Sequence, residues 1–220
     1  MTGNRNHEES KPRLSRREML KRTGMMIGMA VLPSGLLPTR VQAQTALRNA
    51  FLSFTAPEAE TLKAIVSRVI PSDENGPGAV EARAGYYIDR ALAGALKAQK
   101  PAYVAGLAAV NAYAQSSKGA AFARLLAADQ DAVLNDMEQN RASGFSGSSS
   151  QFFNLVRAHT IQGTFCDPYY GGNANFIGWE LIGYPGARLA VSANMQRMDV
   201  KPEPSRKSAY EYGMFNKSEI

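Results

Sequence analysis

The stretch from Cys166 to Gly186 restricts the fold of this chain more than any other part of the sequence. It holds the only cysteine and the only tryptophan, together with five glycines, two prolines and three tyrosines. Proline fixes φ and lacks a backbone donor, and paired glycines suit turns with positive φ, so the run cannot be a regular helix. Its large aromatic side chains therefore sit on a turn-rich backbone, either as a plug in the core or as a display surface. We favour display.

The positive charge of the chain is concentrated near its start. The net charge is +6, and residues 1–43 contain eight Lys/Arg and three Glu, which leaves 17 basic and 16 acidic residues for the remainder. A protein that binds nucleic acid needs a basic surface to neutralise a row of phosphates. Because the remainder is nearly neutral and has no basic cluster, the sequence predicts no nucleic-acid partner.

The N-terminal segment resembles a twin-arginine export signal. Residues 15–21 read Ser-Arg-Arg-Glu-Met-Leu-Lys, followed by a mildly apolar run over 25–37 and by Val-Gln-Ala at 41–43, which suits cleavage by a signal peptidase. The residues that carry the signal are Arg16, Arg17, Leu20 and Lys21. A retained N-terminal anchor is the alternative, although the apolar run is shorter than the roughly 20 residues of a spanning helix. This route exports folded proteins, so the chain should hold a cofactor or travel beside a partner that does.

The rest of the chain shows helical periodicity. Thr55, Pro57 and Glu58 form a capped helix start, and apolar residues then recur at helical spacing as far as Pro71. Nothing alternates at period two over a useful length, so the predicted fold is all-α, one small domain of about five helices. The predicted helices cover 55–70, 80–99, 101–115, 129–141 and 150–165, with a short turn over 120–127 and with Asp129 and Ser150 as caps. The predicted organisation is a signal peptide over 1–43, a helical domain over 44–189 and an extended tail over 190–220.

Little in the sequence after residue 43 is suited to catalysis. It has no Gly-x-Gly-x-x-Gly turn, no phosphate loop and no Cys-x-x-Cys-His haem site, and one cysteine cannot hold an iron–sulfur cluster. His159 and Cys166 lie two helical turns apart, about 10 Å along the axis, which is too far for a catalytic pair. We therefore predict no catalytic, cofactor-binding or metal-binding residue. Cys166 keeps two interpretations, a buried inert thiol or an intermolecular disulfide.

Two blocks of sequence carry a resemblance to a known family. They read Asp-Pro-x-Tyr-Gly-Gly-Asn at 167–173 and Gly-Trp-x-x-Ile-Gly-Tyr-Pro-Gly at 178–186, and the capped helix start and Tyr-Ile-Asp at 87–89 precede them. Over residues 55–186 the chain resembles the gluconate 2-dehydrogenase subunit 3 family, small subunits of membrane-associated flavin dehydrogenases.

The resemblance implies a non-catalytic subunit without a cofactor of its own. Its partner would be a large FAD-containing subunit of the glucose–methanol–choline type, and many such complexes add a multihaem cytochrome c subunit. The large subunit typically lacks an export signal, so the small one would escort it through the twin-arginine translocase. The complex would then lie in the periplasm, peripheral to the inner membrane.

We expect the aromatic stretch to contact the large subunit. Trp179, Tyr170 and Tyr184 are the expected anchors, because buried aromatic residues carry much of the energy of interfaces. The alternative for Trp179 is a place in the domain's own core, and Asn173 is expected to bond the backbone of its own turn. The predicted interface comprises Cys166, Pro168, Tyr170, Gly171, Gly172, Asn173, Trp179, Tyr184 and Pro185, with Cys166 the candidate for a disulfide between subunits.

Two other functions stay open at this point. One is a free-standing periplasmic enzyme that uses the region of Cys166. The other is a periplasmic helical scaffold or ligand-binding module that has no dehydrogenase partner. In both cases no flavoprotein should co-purify with the chain, whereas an accessory subunit should bring one with it.

Overall fold

The computed structural model describes residues 50–215, which form a bundle of six helices. The helices are α1 (Ala56–Val69), α2 (Ala84–Ala93), α3 (Lys100–Lys118), α4 (Ala127–Glu138), α5 (Ser149–Phe165) and the short α6 (Ile177–Leu181). Residues 50–215 contain no strand, so the prediction of an all-α fold is confirmed. The predicted signal peptide, including Arg16 and Arg17, lies outside the described residues, and the domain boundaries at 43 and 189 stay predictions.

Helix α1 begins where the sequence predicts it. The Glu58 carboxylate accepts hydrogen bonds from the backbone N–H and the hydroxyl of Thr55, both at 2.8 Å, and completes a capping box. Pro57 needs no hydrogen-bond partner for its nitrogen in the first turn. The apolar face of α1 then buries Leu62, Ile65 and Val66 in the core.

Three other predicted boundaries are wrong by a few residues. Helix α2 is shorter than the predicted 80–99. It spans Ala84–Ala93 and ends at Gly94, and a separate 3₁₀ turn follows at Lys97–Gln99. Helix α4 starts at Ala127, so Asp129 lies in its first turn, where its carboxylate pairs with Lys118 at 3.0 Å. The cap of α5 is Ser148 and not Ser150: its hydroxyl accepts a hydrogen bond from the N–H of Gln151. The predicted turn over 120–127 is a 3₁₀ turn at Phe122–Arg124.

Helix α5 is the centre of the bundle and contacts each of the other five helices. Its Phe152 lies so close to α3 that a Cβ at Gly106 would come within 2.2 Å of the ring. Farther along, Gly163 lets α5 approach the backbone of Ala84 on α2. Small residues at these crossings therefore allow the helices to pack closely.

A buried carboxylate ties the segment before α1 to the bundle. Asp89 on α2 accepts hydrogen bonds from the backbone N–H groups of Leu52 and Ser53, at 2.6 and 2.7 Å. The hydroxyl of Ser53 in turn donates to the carbonyl of Asp89 at 2.9 Å. Asp89 is thus buried with its polar atoms satisfied, a structural role that sequence analysis did not assign.

His159 is a buried structural residue of α5. Its side chain is 6% exposed, its ring stacks on that of Tyr103, and its Nδ1 lies 2.8 Å from the Tyr103 hydroxyl. Burial lowers the pKa of His159 below its ordinary value of 6.5. The imidazole is therefore neutral in the folded chain at neutral pH.

We expect acid to destabilise the domain through His159. Above about pH 6.5 the histidine is neutral in both the folded and the unfolded chain. Below that pH the unfolded chain binds a proton that the folded chain excludes. The free energy of unfolding should then fall by up to about 1.4 kcal/mol per pH unit, until the pH passes the lower folded pKa. Urea unfolding between pH 7.5 and pH 5 measures the slope.

The matched control is His159→Gln, which keeps a polar side chain but does not titrate. It should flatten the dependence of stability on pH between about 6.5 and 5, whatever its effect on stability at pH 7.5. An equal slope in both proteins would assign the acid sensitivity to other groups.

None of the helices in 50–215 combines the length and the apolar character that a bilayer-spanning segment needs.

Candidate partner interface

The stretch after α5 folds into a series of tight turns. Cys166 ends the helix, and Asp167 caps a 3₁₀ turn over Pro168–Tyr170 by accepting a hydrogen bond from the N–H of Tyr169 at 2.9 Å. Gly171 follows with φ +92°, a conformation that favours glycine. We call residues 166–186 the aromatic segment.

Two glycines let the aromatic segment lie directly against the backbone of α5. A Cβ at Gly172 would stand 2.0 Å from the carbonyl oxygen of Gly163, and one at Gly178 would stand 1.9 Å from that of Thr164. Neither position has room for a side chain. The aromatic segment is therefore packed on the C-terminal end of α5 by backbone contact.

Asn173 is fully buried and links the turns of the aromatic segment to one another. Its amide nitrogen donates to the carbonyl of Cys166, and its amide oxygen accepts from the N–H of Gly178, both at 2.8 Å. These bonds match the expectation that Asn173 bonds the backbone of its own segment. Asn173 and the buried Gly172 thus lie inside the chain's own fold and not on its surface, which corrects their assignment as contact residues.

Trp179 also faces inward. It is 7% exposed, and its indole N–H donates to the carbonyl of Phe165 at 3.0 Å. Its ring contacts those of Phe176 and Tyr184, with centroids 5.4 and 5.0 Å away. Of the two interpretations of Trp179, the structure favours a place in the domain's own core, where the indole packs against the inner side of the Tyr184 ring.

The outer side of the aromatic segment is a display surface. Tyr170 and Tyr184 are 49% and 44% exposed, and Tyr169 and Ile182 are more exposed still. Pro168, Gly171 and Pro185 are half-buried between the two sides. The segment is thus partly a core plug and partly a display surface, and the tyrosines form its outer part.

Residues 205–212, here called the strap, return to cover one edge of the aromatic segment. The Asp167 carboxylate accepts hydrogen bonds from the hydroxyl of Ser208 at 2.5 Å and from the N–H of Ala209 at 2.7 Å. The ring of Tyr210 stacks on Tyr169 with centroids 3.9 Å apart, and its hydroxyl lies 2.6 Å from that of Tyr170. The pKa of Tyr170 is raised to about 12, mainly by the hydrogen bond with Tyr210 and to a smaller extent by burial. The strap was not predicted from the sequence.

Cys166 lines a shallow groove beside the tyrosines, about 370 Å³ in volume. The groove is bounded by Tyr87, Ile161, Gln162, Phe165, Cys166 and Tyr170. Burial raises the pKa of the Cys166 thiol to about 11, so the thiol is protonated at neutral pH and exchanges slowly with disulfides. Within residues 50–215, no three His, Cys, Asp or Glu side chains are placed to share a metal ion.

The sequence model of the gluconate 2-dehydrogenase subunit 3 family matches residues 56–186, more than half of the chain. The chain belongs to this family. The match begins at the start of α1 and ends at Gly186, so it covers the helical bundle and the whole aromatic segment. Comparisons with curated proteins and with solved structures find no match.

The subunit 3 match includes the display surface but not the residues that follow the aromatic segment. Exposed tyrosines 169, 170 and 184 lie within the matched region, whereas the strap and the residues between 187 and 204 follow it. The family is one of dehydrogenase subunits, so its members are parts of a complex. A surface for another subunit is therefore expected on this chain.

Proposed function

We propose that the chain is the non-catalytic small subunit of a flavin-dependent dehydrogenase complex, and that it escorts and stabilises the FAD-containing subunit. Membership of the subunit 3 family supports a place in such a complex. The partner is a large subunit of the glucose–methanol–choline type, and a multihaem cytochrome c completes the assembly in some relatives. Dehydrogenase activity resides in the large subunit.

The distribution of exposed apolar side chains carries this proposal. Of fourteen large hydrophobic side chains exposed in residues 50–215, eleven lie between Ile161 and Phe215. The exceptions, Leu52, Val104 and Leu126, are scattered. Exposed apolar residues concentrated in one part of a chain indicate a surface for a partner. Four of the eleven lie on the aromatic segment, namely Tyr169, Tyr170, Ile182 and Tyr184, and the outer side of this segment is therefore the proposed interface.

The tyrosines are suited to act as anchors. Tyr170 and Tyr184 are held before binding, Tyr170 by its hydroxyl contact with Tyr210 and Tyr184 by its contact with the Trp179 ring. A side chain that is ordered in advance loses less entropy on binding. Truncating an aromatic hot-spot residue of a protein interface to alanine typically costs about 2 kcal/mol or more of binding free energy.

The export signal supports a periplasmic location for the complex. The twin-arginine sequence at 15–21 directs a folded cargo to the periplasm, where the complex is peripheral to the inner membrane. The subunit would present this signal on behalf of the flavin-loaded partner. The escort role and the cellular location rest on this sequence and on the family resemblance.

Co-purification tests the proposal. The chain, tagged after Ile220 and expressed in its native host, should elute with a flavin absorbance spectrum and with a second band that peptide sequencing identifies as a flavoprotein dehydrogenase. Tyr170→Ala with Tyr184→Ala should lower the co-eluting flavin, whereas Val104→Ala with Leu126→Ala, on exposed positions of the helical bundle, should not. A colourless single chain would favour the scaffold alternative, and a single chain with dehydrogenase activity would favour the enzyme alternative.

The same preparation decides between the two interpretations of Cys166. If the two bands migrate as one on a gel until reductant is added, and Cys166→Ser separates them, the cysteine links the subunits. Separate bands without reductant assign Cys166 to the groove as an unlinked thiol.

A further inference from the structure

Residues 187–204, here called the C-terminal loop, form a loop whose ends are tied together. The N–H of Ser205 donates to the carbonyl of Pro185 at 2.8 Å, and the hydroxyl of Tyr212 donates to the carbonyl of Ala187 at 2.9 Å. The Arg188 guanidinium reaches across to the carbonyl of Glu203. Both ends of the loop are therefore anchored between the aromatic segment and the strap.

The outer part of the C-terminal loop exposes apolar side chains. Every residue from 189 to 199 is exposed, and Met198 is at 105%, as open as in an extended peptide. The exposed apolar side chains are Leu189, Val191, Met195 and Met198. Single exposed apolar residues are common, but four on one short loop are typical of a binding surface. Methionine adapts its shape to an irregular partner.

The C-terminal loop has its own internal hydrogen bonds. The N–H of Met195 donates to the carbonyl of Ser192 at 3.0 Å, and the Arg197 guanidinium binds both carboxylate oxygens of Asp199, at 3.0 and 2.6 Å. A loop with such bonds loses less conformational freedom when a partner binds. The apolar side chains are thus presented on a partly organised backbone.

The charge of the C-terminal loop favours a protein over a membrane. Its charged residues are Arg188, Arg197, Asp199, Lys201 and Glu203, a net charge of about +1. Arg197 is paired with Asp199, and Arg188 is turned towards a backbone carbonyl. Attachment to an anionic bilayer uses clusters of four to eight Lys/Arg near the surface. This loop offers no such cluster, whereas nearly neutral apolar side chains suit a cleft in a protein.

We propose that the C-terminal loop is a second docking element, which inserts its apolar side chains into an apolar cleft of the complex's catalytic subunit. The inference rests on the proposed function and extends it. The base of the loop is bonded to Pro185, which follows Tyr184, so the loop continues the display surface of the aromatic segment. The loop lies after the region that matches the family, so its contacts would add to those of the matched region.

The test uses the full chain tagged after Ile220 and co-expressed with its dehydrogenase in the native host. The variant carries Leu189→Ser, Val191→Ser, Met195→Ser and Met198→Ser, and the matched control carries Val104→Ser and Leu126→Ser, which are exposed on the helical bundle. At equal amounts of tagged chain, the variant should retain no more than about one tenth of the flavoprotein that the wild-type chain retains. The control should retain as much flavoprotein as the wild-type chain. The single variant Met198→Asp, at the most exposed side chain, should reduce retention in the same direction.

Each other outcome overturns the inference. If the wild-type chain and the serine variant retain equal flavoprotein, the C-terminal loop is not a docking element, while the proposed function stands. If even the wild-type chain retains no flavoprotein, the proposed function fails as well. If the wild-type chain sediments with vesicles of phosphatidylglycerol and phosphatidylethanolamine and the variant does not, the loop is a membrane contact. Trp179 fluorescence during urea unfolding shows that the variants are folded.

Discussion

Alanine at Gly178 is expected to lower the free energy of unfolding by about 3 kcal/mol. The new Cβ would stand 1.9 Å from the carbonyl oxygen of Thr164, which is backbone and cannot rotate away as a side chain would. The hydrogen bond from the N–H of Gly178 to the side-chain amide oxygen of Asn173 and the position of the neighbouring Trp179 would have to shift together. Urea unfolding followed by the fluorescence of Trp179, the only tryptophan, measures the loss at the site itself.

Gly172→Ala should behave similarly, because its Cβ would stand 2.0 Å from the carbonyl oxygen of Gly163. Gly213→Ala is the matched control, since no atom lies within 4 Å of a Cβ there. Its transition should coincide with that of the wild-type chain to within about 0.5 kcal/mol. Equal stability of Gly178→Ala and Gly213→Ala would show that the aromatic segment does not rest on α5 as described.

Replacing Arg16 and Arg17 together by lysine is expected to leave the dehydrogenase activity in the cytoplasm. Lysine keeps the charge but not the planar guanidinium, and the twin-arginine route is named for the arginine pair that it requires. If the chain is the escort, the partner has no signal of its own and stays behind with it. Fractionation of cells, followed by an assay of flavin-dependent dehydrogenase activity with an artificial electron acceptor, measures the distribution.

Lysine at Arg5 and Arg13 is the control for the export experiment. These arginines lie in the same basic region but outside residues 15–21, so the periplasmic activity should match that of the wild-type chain. Unchanged periplasmic activity in the Arg16 and Arg17 variant would mean that another signal directs the export of the complex.

Helix positions were predictable wherever the signal is local. The start of α1 depends on Thr55 and Glu58, three residues apart, and both the prediction and the structure have it at the same place. The start of α5 was misplaced because residues 148–150 are three consecutive serines, each able to cap a helix. Which serine becomes the cap depends on its neighbours in space: Ser149, inside the helix, donates instead to the carbonyl of Met137 on α4 at 3.1 Å.

The candidate site was predictable in outline but not in orientation. The glycines, prolines and aromatic residues of 166–186 predict a turn-rich aromatic element, and one is present. Sequence pattern could not separate Trp179, which is buried, from Tyr170 and Tyr184, which are exposed, because turns have no repeating face. The strap was missed because Asp167 bonds to Ser208 and Ala209, which lie more than forty positions farther along the chain.

The sequence by itself determined the helical class of this protein and the place where its helices give way to turns. Caps, helical spacing and proline act between residues a few positions apart, so they can be recognised without a structure. Only the tertiary structure decided which aromatic side chains became core and which became surface. That choice follows from the backbone contact of Gly172 and Gly178 with α5, which turns the Trp179 indole towards the carbonyl of Phe165 and leaves the tyrosines facing outward.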